Sequence, residues 1–193
     1  TVYLQITRGV APRTHAFPDQ TVPPTVYACA TKFLSSQDKW EAGVKIILVP
    51  DIRWARCDLK SVGLLSNVLA FQQARDQGAE EAVFVRDGAL TEGAHTNFCA
   101  IFDGELRTFP NSHYILDGIT RRVVLELCRE LRIPVREFPV FEHDLKNADE
   151  CLLVGTTVEI LPVVQVHDWN VGDGTPGPIT RKLQQAFREL VNN

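Results

Sequence analysis

One lysine, one glutamate and two turns rich in glycine and threonine are the residues of this chain whose types and settings could carry chemistry. Lys60 sits in Cys57-Asp58-Leu59-Lys60-Ser61, between an arginine-bearing segment and an apolar stretch. An amine there is either a solvated surface group, as most lysines are, or a nucleophile that forms a Schiff base with a carbonyl compound. Asp117-Gly118-Ile119-Thr120 opens a helical pattern. Free backbone N–H groups at the positive end of a helix suit a phosphate, and the Thr120 hydroxyl adds a donor. The plainer reading is that Asp117 is an N-cap and nothing more. Gly155-Thr156-Thr157 follows an apolar strand and offers a second hydroxyl-rich turn, which makes a phosphate site more credible. Glu92, in Leu90-Thr91-Glu92-Gly93, reads on its own as an exposed turn carboxylate.

Several other chemistries find no support. There is no GxSxG elbow, no HExxH pair and no GxGxxG after a strand, and the glycines of the loop at 172–178 lack the spacing and the lysine of a P-loop. The five histidines are dispersed, so no metal site is expected. Cys29, Cys57, Cys99, Cys128 and Cys151 contain no CxxC pair, which suggests neither a disulfide framework nor a zinc site and makes a reducing cytoplasm the expected location. With 193 residues, 45% apolar and 23% charged, and a net charge of -4, the chain is expected to form one large or two small globular domains. That balance argues against a disordered tail or a basic nucleic-acid arm. No apolar run reaches membrane-spanning length and no signal peptide is visible, so a soluble protein without membrane contact is expected. The chain has no methionine and opens on a strand pattern, from which a missing N-terminal portion is expected.

These residues need elements to position them. An alternating strand at Val2–Thr7 stops at Gly9, and a polar loop holding Arg13 and His15 leads to a β-rich run at 25–32. Ser35-Ser36-Gln37-Asp38 suggests a turn or short helix start, with a boundary near 33–37. A β-branched run at 44–49 is closed by Pro50-Asp51. A helix over 61–77, with Leu65, Val68 and Leu69 at helical spacing, stops at Gly78. Short strands at 82–86 and 97–102 are followed by the turn dipeptides Asp87-Gly88 and Asp103-Gly104. The helix opened at Asp117 carries Val124, Leu127, Cys128 and Leu131 on one face and ends by Pro134. Strands at 151–154 and 163–166 precede a closing amphipathic helix with Ile179, Leu183, Phe187 and Leu190. The expected class is α+β, helices packed on mixed, mostly antiparallel β-structure, without internal repeats.

Taken in order, Thr7-Arg8-Gly9 through Pro12-Arg13-Thr14-His15-Ala16-Phe17-Pro18, Cys57-Asp58-Leu59-Lys60-Ser61, Leu90-Thr91-Glu92-Gly93, Leu116-Asp117-Gly118-Ile119-Thr120-Arg121 and Gly155-Thr156-Thr157-Val158-Glu159-Ile160 resemble the fold-type IV pyridoxal-phosphate enzymes over essentially the whole chain. Among them the likeness is greatest to the D-amino acid aminotransferases. The resemblance implies that Lys60 forms the Schiff base with pyridoxal 5'-phosphate and then moves the proton between Cα and C4′. It implies that Glu92 pairs with the pyridine nitrogen and that Leu116 packs on one ring face. Gly118, Ile119, Thr120 and Thr156 match the phosphate cradle, and Thr157 joins Arg13 and His15 among the substrate-binding positions. Residues 1–35 then match the C-terminal part of a small domain, and residues 36–193 the large cofactor domain.

On this resemblance the activity is transamination between a D-amino acid and a 2-oxo acid. Arg13 and His15 match the pair that binds the substrate α-carboxylate in the neighbouring site of a homodimer, a task suited to a bidentate guanidinium. Taken by themselves they are equally at home in a solvated loop. Relatives with the same framework leave alternatives: a branched-chain L-amino acid aminotransferase, an (R)-amine transaminase, an aminodeoxychorismate lyase, or a truncated inactive chain. Two departures stand out. Ala94-His95-Thr96 replaces small hydroxyl residues, so His95 either lies by the cofactor or substrate or faces solvent. The family's phosphate-binding arginine and active-site tyrosine from the front of the small domain are not found in this sequence.

Overall fold

The computed structural model describes residues 1–33 and 37–192. Of the turn or short helix start expected over 35–38, Ser35 and Ser36 lie outside them, and Gln37 and Asp38 open helix α1 (Gln37–Ala42). The chain divides into two compact units, Thr1–Ser35 and Ser36–Asn193. In the first, β1 (Val2–Thr7) pairs antiparallel with β2 (Thr25–Ala30), Val2 opposite Ala30 and Thr7 opposite Thr25. Val2, Leu4 and Ile6 remain exposed on this two-stranded ribbon. The β1–β2 loop folds on itself, with the Arg8 guanidinium 3.8 Å from the centre of the Phe17 ring.

The second unit continues with β3 (Val44–Pro50), α2 (Leu65–Asp76), β4 (Glu81–Arg86), β5 (Ala89–Gly93), β6 (Asn97–Phe102) and β7 (Glu105–Thr108). Helix α3 (Ile119–Glu130), β8 (Val135–Glu137), β9 (Val140–Phe141), β10 (Glu150–Gly155), β11 (Glu159–Val166), β12 (Trp169–Asn170) and α4 (Pro178–Asn192) follow. The strands form one ten-stranded sheet. Within it β6, β10, β11, β3, β4 and β5 pair in that order, and β5 pairs back to β6 through Glu92 and Asn97, which closes a ring. Most pairings are antiparallel, but β3 runs parallel to both β4 and β11, and β8 runs parallel to β7. Asp87-Gly88 and Asp103-Gly104 all have positive φ, so both dipeptides make the tight hairpin turns their types favour.

Strand periodicity sorts the core. Ile46, Val83, Phe98, Ala100, Leu153 and Leu161 pack in one cluster, while their neighbours Cys99, Ile101, Leu152, Val154 and Ile160 face α3 and α4. Ile47, Val49, Ala82 and Phe84 form a third cluster with Ala70 and Ala74 of α2.

The expected helices form, with two differences. Helix α2 starts at Leu65, later than the pattern suggested, and it buries Ala70 and Ala74 while Leu65, Val68 and Leu69 stay exposed. Its small-residue face allows close approach to the sheet, which the leucine spacing did not reveal. Helix α4 buries Leu183 and half-buries Ile179 and Phe187, but Leu190 near its end is exposed. Strand β5 also stands where only a turn was expected, which changes the setting of Glu92.

Candidate active site

A cleft of about 610 Å³ opens at the seam where β5 meets β6. Its volume lies within the range of small-molecule sites. Lys60, Glu92, Leu116, Gly118, Ile119, Thr120 and Thr156 all line it, although they come from separate stretches of chain. Thr157 is on the same β10–β11 turn but does not line the cleft. Arg13 and His15 lie on the exposed β1–β2 loop of the first unit.

Glu92 is the most constrained of these residues. It is buried on β5, so the exposed-turn reading fails for a definite reason: the strand pairs with β4 and its far end turns into β6. Its Oε1 accepts from Arg53 Nη1 at 2.5 Å, and Oε2 accepts from Asn97 Nδ2 at 3.1 Å and the Leu116 amide at 2.9 Å. Burial pushes the Glu92 carboxyl up to about 7, against the opposing pull of Arg53 and the Leu116 N–H.

Arg53 was not singled out by the sequence. It lies beneath the cleft, forked onto Asp51 through Nε–Oδ1 and Nη2–Oδ2 contacts of 2.9 Å each, with its guanidinium 4.2 Å from the centre of the Phe84 ring. Arg86 adds a 3.1 Å contact to Asp51. Burial alone would raise Asp51, but hydrogen bonds from Arg53 and Arg86 hold it below the usual carboxylate range. At Arg53 burial pulls the pKa down, but Asp51 and Glu92 outweigh it and the net direction is upward. The sequence signal available was the spacing Asp51-x-Arg53 at the end of an apolar strand, followed by Arg86.

Helix α3 begins with Gly118 as N-cap, and no side chain caps it. Asp117, the expected cap, instead binds Arg122 and accepts from Asn111 Nδ2 at 3.0 Å. The first-turn N–H groups therefore have no side-chain cap, and Gly118, Ile119 and Thr120 line the cleft. Gly118 is required sterically: a Cβ there would lie 2.2 Å from Asn97 Oδ1. Lys60, which also lines the cleft, sits exposed on the loop between β3 and α2 and has no ion-pair or hydrogen-bond partner among the described residues.

His95 also lines the cleft, from the β5–β6 turn. Its Nδ1 is 2.8 Å from Oε2 of the wholly buried Glu81, and its ring meets Phe71 of α2 edge-on. Burial would lower the imidazole pKa, but Glu81 more than offsets it and the net direction is upward. His95 thus borders the cleft while its side chain stays 45% exposed.

A lysine, a buried carboxylate backed by arginine, and an uncapped helix start thus line one cleft. The chain matches the amino-transferase class IV family over residues 1–166, and it belongs to that family. It is 44% identical over 192 residues to a D-alanine aminotransferase of Staphylococcus haemolyticus, covering 100% of this chain and 68% of that protein. A branched-chain aminotransferase of Thermoproteus uzoniensis, solved with norvaline, superposes with a TM-score of 0.84 at 28% identity, covering 98% of this chain and 64% of that one. The branched-chain amino acid aminotransferase of Thermobaculum terrenum, solved in its PLP-form, gives a TM-score of 0.84 at 26% identity over 98% of this chain and 64% of that one. The chain thus spans about two thirds of the curated relative and slightly less of the solved ones. Among the described residues, no helix is long and apolar enough to cross a membrane, and no cluster of His, Cys, Asp or Glu could hold a metal ion.

Proposed function

We propose that this chain carries the cofactor site of a pyridoxal-phosphate-dependent aminotransferase that moves an amino group between D-amino acids and 2-oxo acids. The observation that carries this reading is the convergence of Lys60, Glu92 and the uncapped start of α3 on one cleft, in a chain 44% identical to a D-alanine aminotransferase. The donor set fits the cofactor, because the start of α3 carries no side-chain cap on its backbone N–H groups and lines the same cleft as the buried carboxylate. When bound, pyridoxal phosphate supplies an aldehyde that joins amines and a ring that takes up the electrons released at the substrate Cα.

The residues divide this work. Lys60 Nζ would anchor the cofactor through its aldehyde and, once displaced by the incoming amine, would carry the proton on and off the substrate Cα. Glu92 keeps the proton on the pyridine nitrogen, and Arg53 and Asn97 fix the carboxylate in position. Leu116 supports one ring face. The Ile119 and Thr120 N–H groups, with the Thr120 and Thr156 hydroxyls, hold the phosphate. Arg13 and His15, with Thr157, bind the substrate α-carboxylate and thereby choose the face of Cα presented to Lys60. The pair serves the neighbouring site of a homodimer, residues 1–35 being the rear of a small domain and 36–193 the large cofactor domain.

The test is a visible spectrum followed by half-reactions. The intact protein loaded with pyridoxal phosphate develops an absorption band that Lys60→Ala abolishes, and D-alanine discharges it where L-leucine and an (R)-amine do not. Discharge by L-leucine alone would favour the branched-chain reading, and no band at all would refute the cofactor assignment.

A further inference from the structure

We propose that His95 is a phosphate-binding residue of this cleft, holding Nδ1–H on the buried Glu81 carboxylate and presenting Nε2–H to the phosphate ester of the cofactor beside the Thr156 turn. The inference rests on the cofactor reading above and adds to it a group outside the helix-start cradle.

Glu81 is a built support. It is wholly buried at the head of β4, where Oε1 accepts from the Ala82 amide at 2.9 Å. Its Oε2 accepts from the Thr96 hydroxyl at 3.0 Å and the His95 amide at 3.3 Å, besides the His95 ring at 2.8 Å. The Phe71 ring stands at 86° to the imidazole with centroids 5.2 Å apart, which fixes the second ring direction. Nε2 has no partner among the described residues, and the side chain is 45% exposed where the turn borders the cleft. An imidazole with one nitrogen committed to a carboxylate and the other open is a common arrangement for gripping a ligand.

The location favours the phosphate over other parts of the ligand. A Cβ on Gly155, the residue before Thr156, would lie 3.7 Å from the His95 carbonyl oxygen and 3.6 Å from Thr96 Cγ2. Two residues beyond His95, Asn97 touches Gly118, the cap of α3. The His95 turn therefore adjoins both segments that offer donors to an anion. Charge accounting agrees. Of the cationic side chains lining the cleft, Arg53 is committed to Asp51 and Glu92, and Lys60 is assigned to the aldehyde, which leaves His95 for the anion.

The proton state matters. With Nδ1–H donated to Glu81, a neutral ring would have only a lone pair on Nε2, so the donor to phosphate is the imidazolium. The charged groups around it are Glu81 and Glu80 of the β4 edge, the latter held 2.7 Å from Lys39 of α1, while α2 contributes the apolar Phe71. Lys60 shares the cleft.

The experiment measures dissociation constants of pyridoxal 5'-phosphate and of pyridoxal for the intact protein stripped of cofactor, by absorbance titration between pH 7 and 9. The phosphate is already a dianion in that range, and the ratio of the two constants cancels changes at Lys60. The preference of the parent protein for the phosphorylated ligand is expected to fall about tenfold as His95 loses its proton, the size of one charge-assisted hydrogen bond. His95→Gln, a change at a half-exposed turn, should lose about that much preference at pH 7, show a flat profile and leave pyridoxal affinity unchanged. Glu81→Gln should move the loss to lower pH. Equal weakening toward both ligands, or a parental pH profile in His95→Gln, would overturn the assignment while leaving the cofactor reading standing. Failure of the parent protein to bind either ligand would instead remove both.

Discussion

Replacing Gly118 by alanine isolates one steric contact on which the site depends. Gly118 has φ -66° and ψ 135°, a conformation open to any residue, so backbone strain contributes nothing to the cost. The added Cβ would sit 2.2 Å from Asn97 Oδ1, while the next neighbour beyond Asn97, Arg121 Cβ, is at an ordinary 3.7 Å. The buried Asn97 amide must therefore turn away. In doing so it gives up its Nδ2 bonds to Glu92 Oε2 at 3.1 Å and the Leu116 carbonyl at 2.9 Å. One bond to a charged group and one to a neutral carbonyl together account for about 3 kcal/mol, reduced by up to about 1 kcal/mol because alanine restricts the unfolded chain. Urea denaturation of the ligand-free protein measures this. Asn97→Ala should cost a similar amount, and the double variant no more than Asn97→Ala alone, since the same bonds are lost only once. Additive costs, or a Gly118→Ala protein within about 0.5 kcal/mol of the parent, would refute the steric reasoning.

Two further outcomes follow from buried carboxylates. Glu150 is buried and accepts from the Ile179 amide at 2.9 Å and the Thr180 amide at 2.7 Å, so it caps α4 just inside Pro178. Glu150→Ala should cost about 2–4 kcal/mol in urea denaturation by leaving both donors unpaired, and an unchanged midpoint would remove the cap from the account. Glu92 binds its proton more tightly folded than unfolded, since burial raises it from 4.5 to about 7. Its contribution to stability is thus fully present below about pH 4.5 and is lost as pH rises toward 7, by at most about 3 kcal/mol. Denaturation of the ligand-free protein at pH 5, 6 and 7 should show a slope that Glu92→Gln flattens; equal slopes in both proteins would contradict the raised value.

The legible parts of this molecule were those fixed by local pattern. The Asp-Gly hairpins, the apolar strands and the buried faces of α3 all follow from turn chemistry and periodicity. Strand β5 was missed because Leu90-Thr91-Glu92-Gly93 has neither clean alternation nor a β-branched run, and its place comes from closing the β4–β6 ring. The cleft lining from Lys60 to Thr156 was legible through family resemblance, since no spacing rule brings those segments together. Arg53 escaped notice because a lone arginine carries no period, and only the folded chain sets it between Asp51 and Glu92. Glu81 was hidden for the same reason.

Two buried carboxylates, Glu92 lining the cleft and Glu81 supporting His95, are treated differently by their surroundings. Glu92 meets a permanent cation in Arg53, yet burial still holds its carboxyl up near 7. A second cation arriving on the cleft side would favour its ionised form, and by reciprocity the ionised form would favour that cation. Among the described residues Glu81 has no arginine partner; its ring partner, His95, is one whose charge follows pH. On the proposed reading the seam offers a carboxylate for a basic nitrogen at Glu92 and a carboxylate-supported imidazole for an anion at His95. A ligand carrying both groups satisfies the two at once, whereas one lacking its anionic tail leaves the His95–Glu81 pair with nothing to grip. This is why comparison of a phosphorylated with an unphosphorylated ligand separates the two halves of the site.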